Sequence, residues 1–324
     1  MIKIAVLGPI PRDTIITHLD ETIKKYGCVT HPVIALAKLL EEDGTVIPVT
    51  TVHKKDREGI LKLFSPFSNI DTKAISSEDD KGTVIELNFV DQNNRIEKQT
   101  ACMRPILPKD IAELGDMDAF VFVPITDFEI SLSTLVHIKE NMKGLVVFDA
   151  HGPTTTMAIT GDRYRKFWVD MDEWLPYIDV LKMNLEESQA CWLKNEYVSE
   201  EMVSYDEGKV DHLDDMAAHV LKKGITYFYV TLDSRGCVLY FYENGGIKKE
   251  FVKSIFMQNV VDTTGCGDSF AGGLAYGFSL YKDPIKAAQY ANALGALRTQ
   301  GKTFDVFKNR KETDALIRQY YSDI

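Results

Sequence analysis

Short, uninterrupted apolar runs, each followed by a segment of helical period, most restrict the folds open to this chain. Phe120-Val121-Phe122-Val123 and Leu145-Val146-Val147-Phe148 are the clearest of them. A strand apolar on both faces must be covered on both faces, and a helix after each strand supplies that cover in a parallel sheet. The same rhythm predicts strands at Lys3–Leu7, Val46–Val52, Ala119–Val123, Leu145–Phe148, Val180–Met183, Tyr227–Thr231 and Val238–Tyr242. Helices are expected at Pro32–Glu42, Asp56–Phe64, Ser131–Asn141, Leu185–Lys194, Leu213–Lys223, Asp268–Tyr281, Pro284–Thr299 and Lys311–Tyr321. The expected class is therefore α/β, a doubly wound and mostly parallel sheet. Thr83–Val90 and Arg95–Met103 depart from the pattern, alternating polar with apolar around Asp91-Gln92-Asn93-Asn94. That is the pattern of a hairpin with one wet face, a small flap beside the sheet.

The 324 residues, 45% of them hydrophobic, suffice for one large core. A net charge of -11 speaks against nucleic acid or an anionic membrane as partner, which leaves a small molecule. Cys28, Cys102, Cys191, Cys237 and Cys266 are odd in number and form no C-x-x-C pair, which fits a reducing compartment; a cytoplasmic setting is expected. The apolar start Ile2–Leu7 meets Gly8, Pro9 and Pro11 too soon for a signal peptide or a membrane span.

Chemistry concentrates in Asp262-Thr263-Thr264-Gly265-Cys266-Gly267-Asp268, directly before the helical period of Phe270, Leu274 and Phe278. Unpaired amides and the positive end of a helix dipole attract an anion there, and glycine lets a phosphate approach the backbone. Asp268 would repel that anion, so it makes chemical sense as a base that takes a proton from the attacking group. A helix merely opening with Gly and a dipole-compatible Asp is the plainer alternative.

Asn184 and Glu187 follow the strand Val180–Met183, at the sheet edge where open α/β sheets bind ligands. They could meet a hydrated cation or phosphate together, or form a capping box. Thr231 through Gly236 leaves another strand on the same edge, either toward a nucleotide or as a plain hairpin into Val238–Tyr242. Asp13, Asp149 and His151 also sit just after strands; carboxylates suit vicinal hydroxyls, although each could be a turn residue. Gly301-Lys302-Thr303 is no P-loop, because Ala296 stands where the first glycine belongs, and Gly8-Pro9-Ile10 lacks a dinucleotide fingerprint.

Together these residues resemble the ribokinase-like, or PfkB, family of carbohydrate kinases over nearly the whole chain. The D-T-x-G-x-G-D turn is 262–268, the N-x-x-E element is Asn184–Glu187, and the T-L-x-x-x-G element is Thr231–Gly236; Gly8 with Asp13 and Asp56 with Gly59 are similar in a weaker way. The resemblance implies a single kinase domain, with a small β lid from segments 9–30 and 81–105. It implies ATP-dependent phosphorylation of an alcohol on a sugar, or alternatively on a nucleoside. Asp268 would be the base and the amides of Gly265, Cys266 and Gly267 the anion hole. Asn184 and Glu187 would organise Mg²⁺, Thr231 and Gly236 would lie along the nucleotide, and Asp262 and Thr264 match positions near a monovalent cation such as K⁺. A homodimer through the lid is also expected. A different class, a non-catalytic sugar- or nucleotide-sensing protein on the same scaffold, is opposed by the intact motifs.

The departures concern the acceptor. The family's G-G-x-x-x-N segment is matched only by Tyr26-Gly27-Cys28-Val29-Thr30-His31, which puts His31 in the place of a substrate-binding Asn, and Asp149 is followed by His151-Gly152. Asp13, His31, Asp149 and His151 are the substrate candidates. Cys266 replaces the more frequent Ala, and a thiol at a helix N-terminus invites oxidation when its pKa is lowered.

Overall fold

The computed structural model describes residues 1–17, 19–90, 95–192 and 205–321. The chain opens with β1 (Ile2–Leu7), β2 (Arg12–Ile16), β3 (Thr22–Tyr26), α1 (Thr30–Leu40), β4 (Gly44–His53), α2 (Lys54–Phe64) and β5 (Ile75–Glu78). It continues through β6 (Val84–Phe89), β7 (Arg95–Ala101), α3 (Pro108–Ile111), β8 (Ala119–Phe122), α4 (Leu132–Asn141) and β9 (Leu145–Asp149). Next come β10 (Thr155–Met157), β11 (Arg163–Arg165), α5 (Met171–Trp174), β12 (Val180–Asn184), α6 (Leu185–Trp192), α7 (His212–Lys222) and β13 (Tyr227–Thr231). The chain closes with β14 (Gly236–Glu243), β15 (Gly246–Lys253), α8 (Cys266–Tyr281), α9 (Pro284–Arg298) and α10 (Arg310–Tyr321).

Nine strands form the main sheet in the order β15-β14-β13-β12-β9-β8-β1-β4-β5. The chain winds outward from β1 in both directions, and only β14 and β15 run antiparallel to their neighbours. Successive residues of β1 face opposite layers. Ile4 and Val6 pack with α1, α8 and α9, whereas Ala5 and Leu7 pack with the layer of α4, α6 and α7. This is the doubly wound α/β body that the apolar runs predict. The carboxyl ends of its parallel strands share one edge, where ligands bind in such sheets.

A second sheet, in the order β3-β2-β6-β7, is built from the two segments expected to form a lid. Its β2–β3 and β6–β7 pairs are antiparallel and its β2–β6 pair is parallel. Register places Lys25, Asp13, Ile85 and Gln99 in one row, with Ile23, Ile15, Leu87 and Glu97 in the next. Asp13, Ile15, Ile85, Leu87 and Gln99 are buried, so these rows face the body. The expected turn at 91–94, and the last two residues of the helix expected at Leu185–Lys194, lie outside the described residues.

The hairpin β10–β11 has no counterpart among the predicted elements. It bonds to the edge of β7 through Gln99 N to Gly161 O at 2.8 Å, and its exit is anchored to the sheet where Trp168 stacks on Phe148 at 5.8 Å. Gly272 and Gly273, which carry no obvious benefit as helix residues, gain their place from packing. A Cβ on Gly273 would lie 2.5 Å from Ala291 Cα of α9, and one on Gly272 would lie 2.9 Å from Pro32 of α1. No helix among the described residues is long and apolar enough to cross a membrane.

Candidate active site

The glycine-rich turn stands at the N-terminus of α8, with Gly265 as N-cap at φ 85°. A Cβ there would fall 2.4 Å from the His31 ring, so both backbone sign and space demand glycine. The Cys266 amide donates to Thr263 O at 3.2 Å, a bond that an incoming anion would have to share. Asp262 braces the turn from outside. One oxygen accepts from the Thr264 amide at 2.8 Å; the other receives Lys25 Nζ at 2.8 Å and Arg298 Nη2 at 2.6 Å. Burial alone would raise the Asp262 carboxyl, but the Lys25 and Arg298 charges outweigh it and hold the group well below the usual range.

Arg298 also donates from Nε to His31 Nδ1 at 3.1 Å, which puts the proton of the neutral ring on Nε2. Burial and the Arg298 charge push His31 well below its ordinary pKa. The structure therefore places His31, fully buried, behind the turn as its support. Of the two residues expected near a monovalent cation, the Asp262 carboxylate already carries two side-chain cations, whereas the buried Thr264 Oγ1 has no hydrogen-bond partner among the described residues.

Asp268 points into a buried cluster with Asp149, Lys182 and Cys28. Burial first, then the Asp149 charge, raises its carboxyl to about 7, against the pull of Lys182. Cys28 Sγ lies 3.7 Å from Asp268 Oδ1 and donates to Val123 O at 3.1 Å. Lys182 Nζ binds Asp149 Oδ2 at 2.8 Å, both side chains being 4% exposed. A Cβ on Gly267 would lie 3.1 Å from that ammonium, which therefore sits against the anion turn. Burial would lower Lys182, but Asp149 and Glu187 more than compensate and it stays charged. The Cys266 thiol is pushed by burial up to about 12, so the helix N-terminus does not make it a thiolate.

Asn184 and Glu187 do form a capping box: Asn184 N donates to Glu187 Oε2 at 2.8 Å, and Glu187 N to Asn184 Oδ1 at 2.7 Å. The plainer sequence reading is thus real, yet it leaves Glu187 Oε1 turned toward His151 Nδ1 at 3.0 Å and Arg165 Nη2 at 3.5 Å. Burial would raise the Glu187 carboxyl, but Lys182, His151 and Arg165 hold it well below the usual range. Thr231 pairs with Asn184 in the sheet register and with Cys237 across the turn, and Gly236 opens β14, so the hairpin reading also holds. Asp13 lies in the inner row of the small sheet, and its charge reaches Cys28.

The turn 265–267, Asp268, Asp149, Asn184, Glu187 and His151 are thus gathered at one edge, with Asp13 above and His31 below. Sequence reasoning passed over Lys182, Lys25, Arg298, Arg163 and Arg165. Lys182 left a signal: a lysine inside the buried run Val180–Met183 needs a buried partner. Among the described residues, the buried polar atoms without a hydrogen-bond partner include Gln99 Oε1, Thr126 Oγ1 and Glu129 Oε1. The Glu129 carboxyl is raised to about 7 by burial, against the pull of the Ile125 and Thr126 amides.

Comparison with known proteins agrees with this geometry. Solved structures share the fold over nearly the full length. A nucleoside kinase of Burkholderia thailandensis in complex with inosine superposes with a TM-score of 0.74 at 17% identity, covering 98% of this chain and 97% of that one. A pyrophosphate-dependent kinase in the ribokinase family gives 0.73 at 16%, covering 97% and 99%. The ribokinase of Arabidopsis thaliana, complexed with ribose and ATP, gives 0.72 at 17%, covering 98% and 99%. In sequence, the 2-dehydro-3-deoxygluconokinase of Bacillus subtilis is 36% identical over 90 residues, 27% of this chain and 26% of that protein. A Pyrococcus horikoshii protein described as a sugar kinase is 33% identical over 119 residues, 36% of each. The chain thus spans only 26% and 36% of the lengths of these two relatives. The pfkB carbohydrate kinase family matches residues 69–304, well over half of the chain, and the chain belongs to that family.

Proposed function

We propose that this protein is an ATP-dependent kinase that phosphorylates a hydroxyl of a sugar or sugar derivative, with Asp268 as general base. The observation that carries the reading is a partly buried carboxyl, raised to about 7 by burial and the Asp149 charge, at the first turn of a helix that opens with the glycine-rich turn. A base near neutrality is half ionised at working pH and still has proton affinity to use, which suits removal of a proton from an alcohol. Lys182 and the turn amides would meet the charge that gathers on the transferred phosphoryl group, while Asp149 keeps Lys182 in place.

Magnesium fits the donor set in one way. No group of three or more His, Cys, Asp or Glu side chains among the described residues is arranged to hold a metal by itself. Both Glu187 oxygens are already bonded. An ion carried by the nucleotide phosphates and keeping most of its waters is the form that Asn184 and Glu187 would receive. When bound, it would neutralise the phosphates and align them. Thr231 and Gly236, at the neighbouring strand exits, would border the nucleotide.

On the acceptor side, Asp13, Gln99, Thr126 and Glu129 would face the substrate; all four are buried, and Gln99 Oε1, Thr126 Oγ1 and Glu129 Oε1 have no hydrogen-bond partner among the described residues. Several hydroxyls would satisfy them, which favours a polyol-like acceptor; the match to a 2-dehydro-3-deoxygluconokinase supports the same direction. Pairing of two chains through the small sheet belongs to this reading.

The test is ADP release across pentoses, hexoses, keto-deoxy acids and nucleosides, with pyrophosphate as an alternative donor. One sugar-class acceptor should stimulate turnover, and Asp268→Asn should lower kcat about 10²-fold or more with nucleotide binding retained. Ligand-induced thermal shifts without turnover on any acceptor or donor would favour a sensor instead.

A further inference from the structure

The hairpin β10–β11 connects the small sheet to the phosphate side of the site by a continuous set of polar contacts. Arg163, 8% exposed, reaches Glu97 of β7 from Nη1 at 3.1 Å. From Nη2 it reaches His151 Nε2 at 3.0 Å and Ile125 O at 2.7 Å. A guanidinium can only donate, so His151 Nε2 is the acceptor and the neutral ring carries its proton on Nδ1. That proton is donated to Glu187 Oε1 at 3.0 Å. Arg165, from the same short strand, closes the other side through Thr155 Oγ1 at 2.8 Å, Glu186 at 2.8 Å and Glu187 at 3.5 Å; its Nη1 also lies 3.4 Å from His151 Nδ1, a longer contact than the two of 3.0 Å that set the ring proton on Nδ1. The contacts therefore have a direction: lid carboxylate, guanidinium, imidazole, buried carboxylate.

We propose that Glu97, Arg163 and His151 are positioning residues that tie the seating of the small sheet over the acceptor to the orientation of Glu187, and so to the reception of the magnesium-nucleotide. The proposal rests on the kinase reading of the site. Glu97 belongs to the sheet over the acceptor, whereas Glu187 stands at the mouth of α6 on the nucleotide side. Arg163 bonds Glu97 and the His151 ring directly, while Arg165, beside Glu187, feels the Glu97 charge as well. Seating the sheet brings Glu97 against Arg163, which holds the ring tautomer that donates to Glu187. Lifting it removes the Glu97 anchor from Arg163, which keeps its bond to Ile125 O, and so loosens the donor that defines the orientation of the ring. An imidazole bonded on both sides fixes the carboxylate beneath it as outer partners fix metal ligands, a role whose loss costs about 10–100-fold in metal affinity.

The test uses the full chain and the non-hydrolysable probe AMP-PNP, with calorimetric binding measured over stepped free Mg²⁺. Glu97→Gln, a change of charge at constant shape, should raise the Mg²⁺ concentration for half-maximal tightening by about 10-fold, although Glu97 lies on the acceptor side. His151→Ala should do at least as much, and the double variant should be no worse than His151→Ala alone, because both act on one path. By reciprocity, Mg-AMP-PNP should slow amide exchange in residues 95–101 of the unaltered protein but not of His151→Ala. An unchanged Mg²⁺ half-point in Glu97→Gln, whether or not its Tm falls, overturns the proposal, as do effects that simply multiply in the double variant. If the unaltered protein binds AMP-PNP with no Mg²⁺ dependence, the kinase reading itself fails, and the relay with it.

Discussion

At Asp268 the protein keeps a carboxyl half-buried, where burial and the Asp149 charge raise it to about 7. The sign of the stability effect follows. Its folded value lies above the unfolded one of about 3.9, so the native state binds the proton more tightly. The contribution to stability is complete below about pH 4 and is lost as pH rises through about 7. Activity runs the other way, because the base must be ionised to work. The kcat/KM of the unaltered enzyme should thus rise with pH around an apparent value near 7, as stability falls. Asp268→Asn removes the buried charge and should melt higher than the unaltered chain at pH 8, by about 2 °C or more, with the difference shrinking toward pH 5. Thermal melts of both proteins across that range check it; an Asn variant less stable at pH 8 would mean that the charge is well solvated in place. Cys266 illustrates the same competition at the same helix end, since burial pushes its thiol up to about 12 where a helix N-terminus alone would pull it down.

Between elements, the turn before α8 is held by a junction of three: Lys25 from β3, Asp262 ahead of the helix and Arg298 at the end of α9. Asp262 is the shared partner, so the three positions should respond unequally to truncation. Removing it leaves two buried cations facing each other, a loss of about 3–5 kcal/mol when such a pair is broken. Lys25→Met leaves Asp262 with Arg298 and the Thr264 amide, and should cost less, about 1.5–3 kcal/mol, the net worth of a hydrogen bond to a charged group. Denaturant melts of Asp262→Ala and Lys25→Met measure this; equal losses would show that Lys25 carries the junction. The pH dependence has the opposite sign to that of Asp268. Asp262 is held below its unfolded value, so its contribution is present above about pH 4 and lost as pH falls below it. Sequence could place Asp262 in the turn, but not its partners: Lys25 reads as one residue of a polar strand, and Arg298 as the end of an Ala-rich helix. Long-range packing creates the junction, and no local pattern records it.

Over the whole molecule, legibility follows burial. Parallel strands such as β8, β9 and β12 are covered on both faces and leave apolar runs, so the body of the fold can be read directly. Strand β15 is an edge with Lys248, Lys249 and Glu250 beside Phe251, and β3 pairs only with β2, whose other partner, β6, comes much later in the chain. Such half-wet segments look like loops until their partners are known. The site divides similarly: backbone motifs at 262–268 and 184–187 are visible, whereas the ion pairs through Lys25, Arg163 and Lys182 are consequences of topology. The outer face of the small sheet carries the remaining expectation, pairing of two chains. Register sets Lys24, Thr14, Glu86 and Lys98 in one outward row, with Thr22, Ile16, Asn88 and Ile96 in the next. The edge of β7 already bonds the β10–β11 hairpin, so two chains could meet through this face or the β3 edge. A face with one 54%-exposed Ile96 among charges would associate chiefly through Glu86 of one copy against Lys24 or Lys98 of the other. Contacts of that kind are screened once the Debye length shrinks, to about 3 Å near 1 M salt. Sedimentation should therefore show a pair at about 0.05 M salt that separates toward 1 M, and Glu86→Lys, which places like charges opposite one another, should separate it at low salt as well. A single-chain species at every salt concentration would remove the pairing, and a pair indifferent to both salt and Glu86→Lys would move it to another surface.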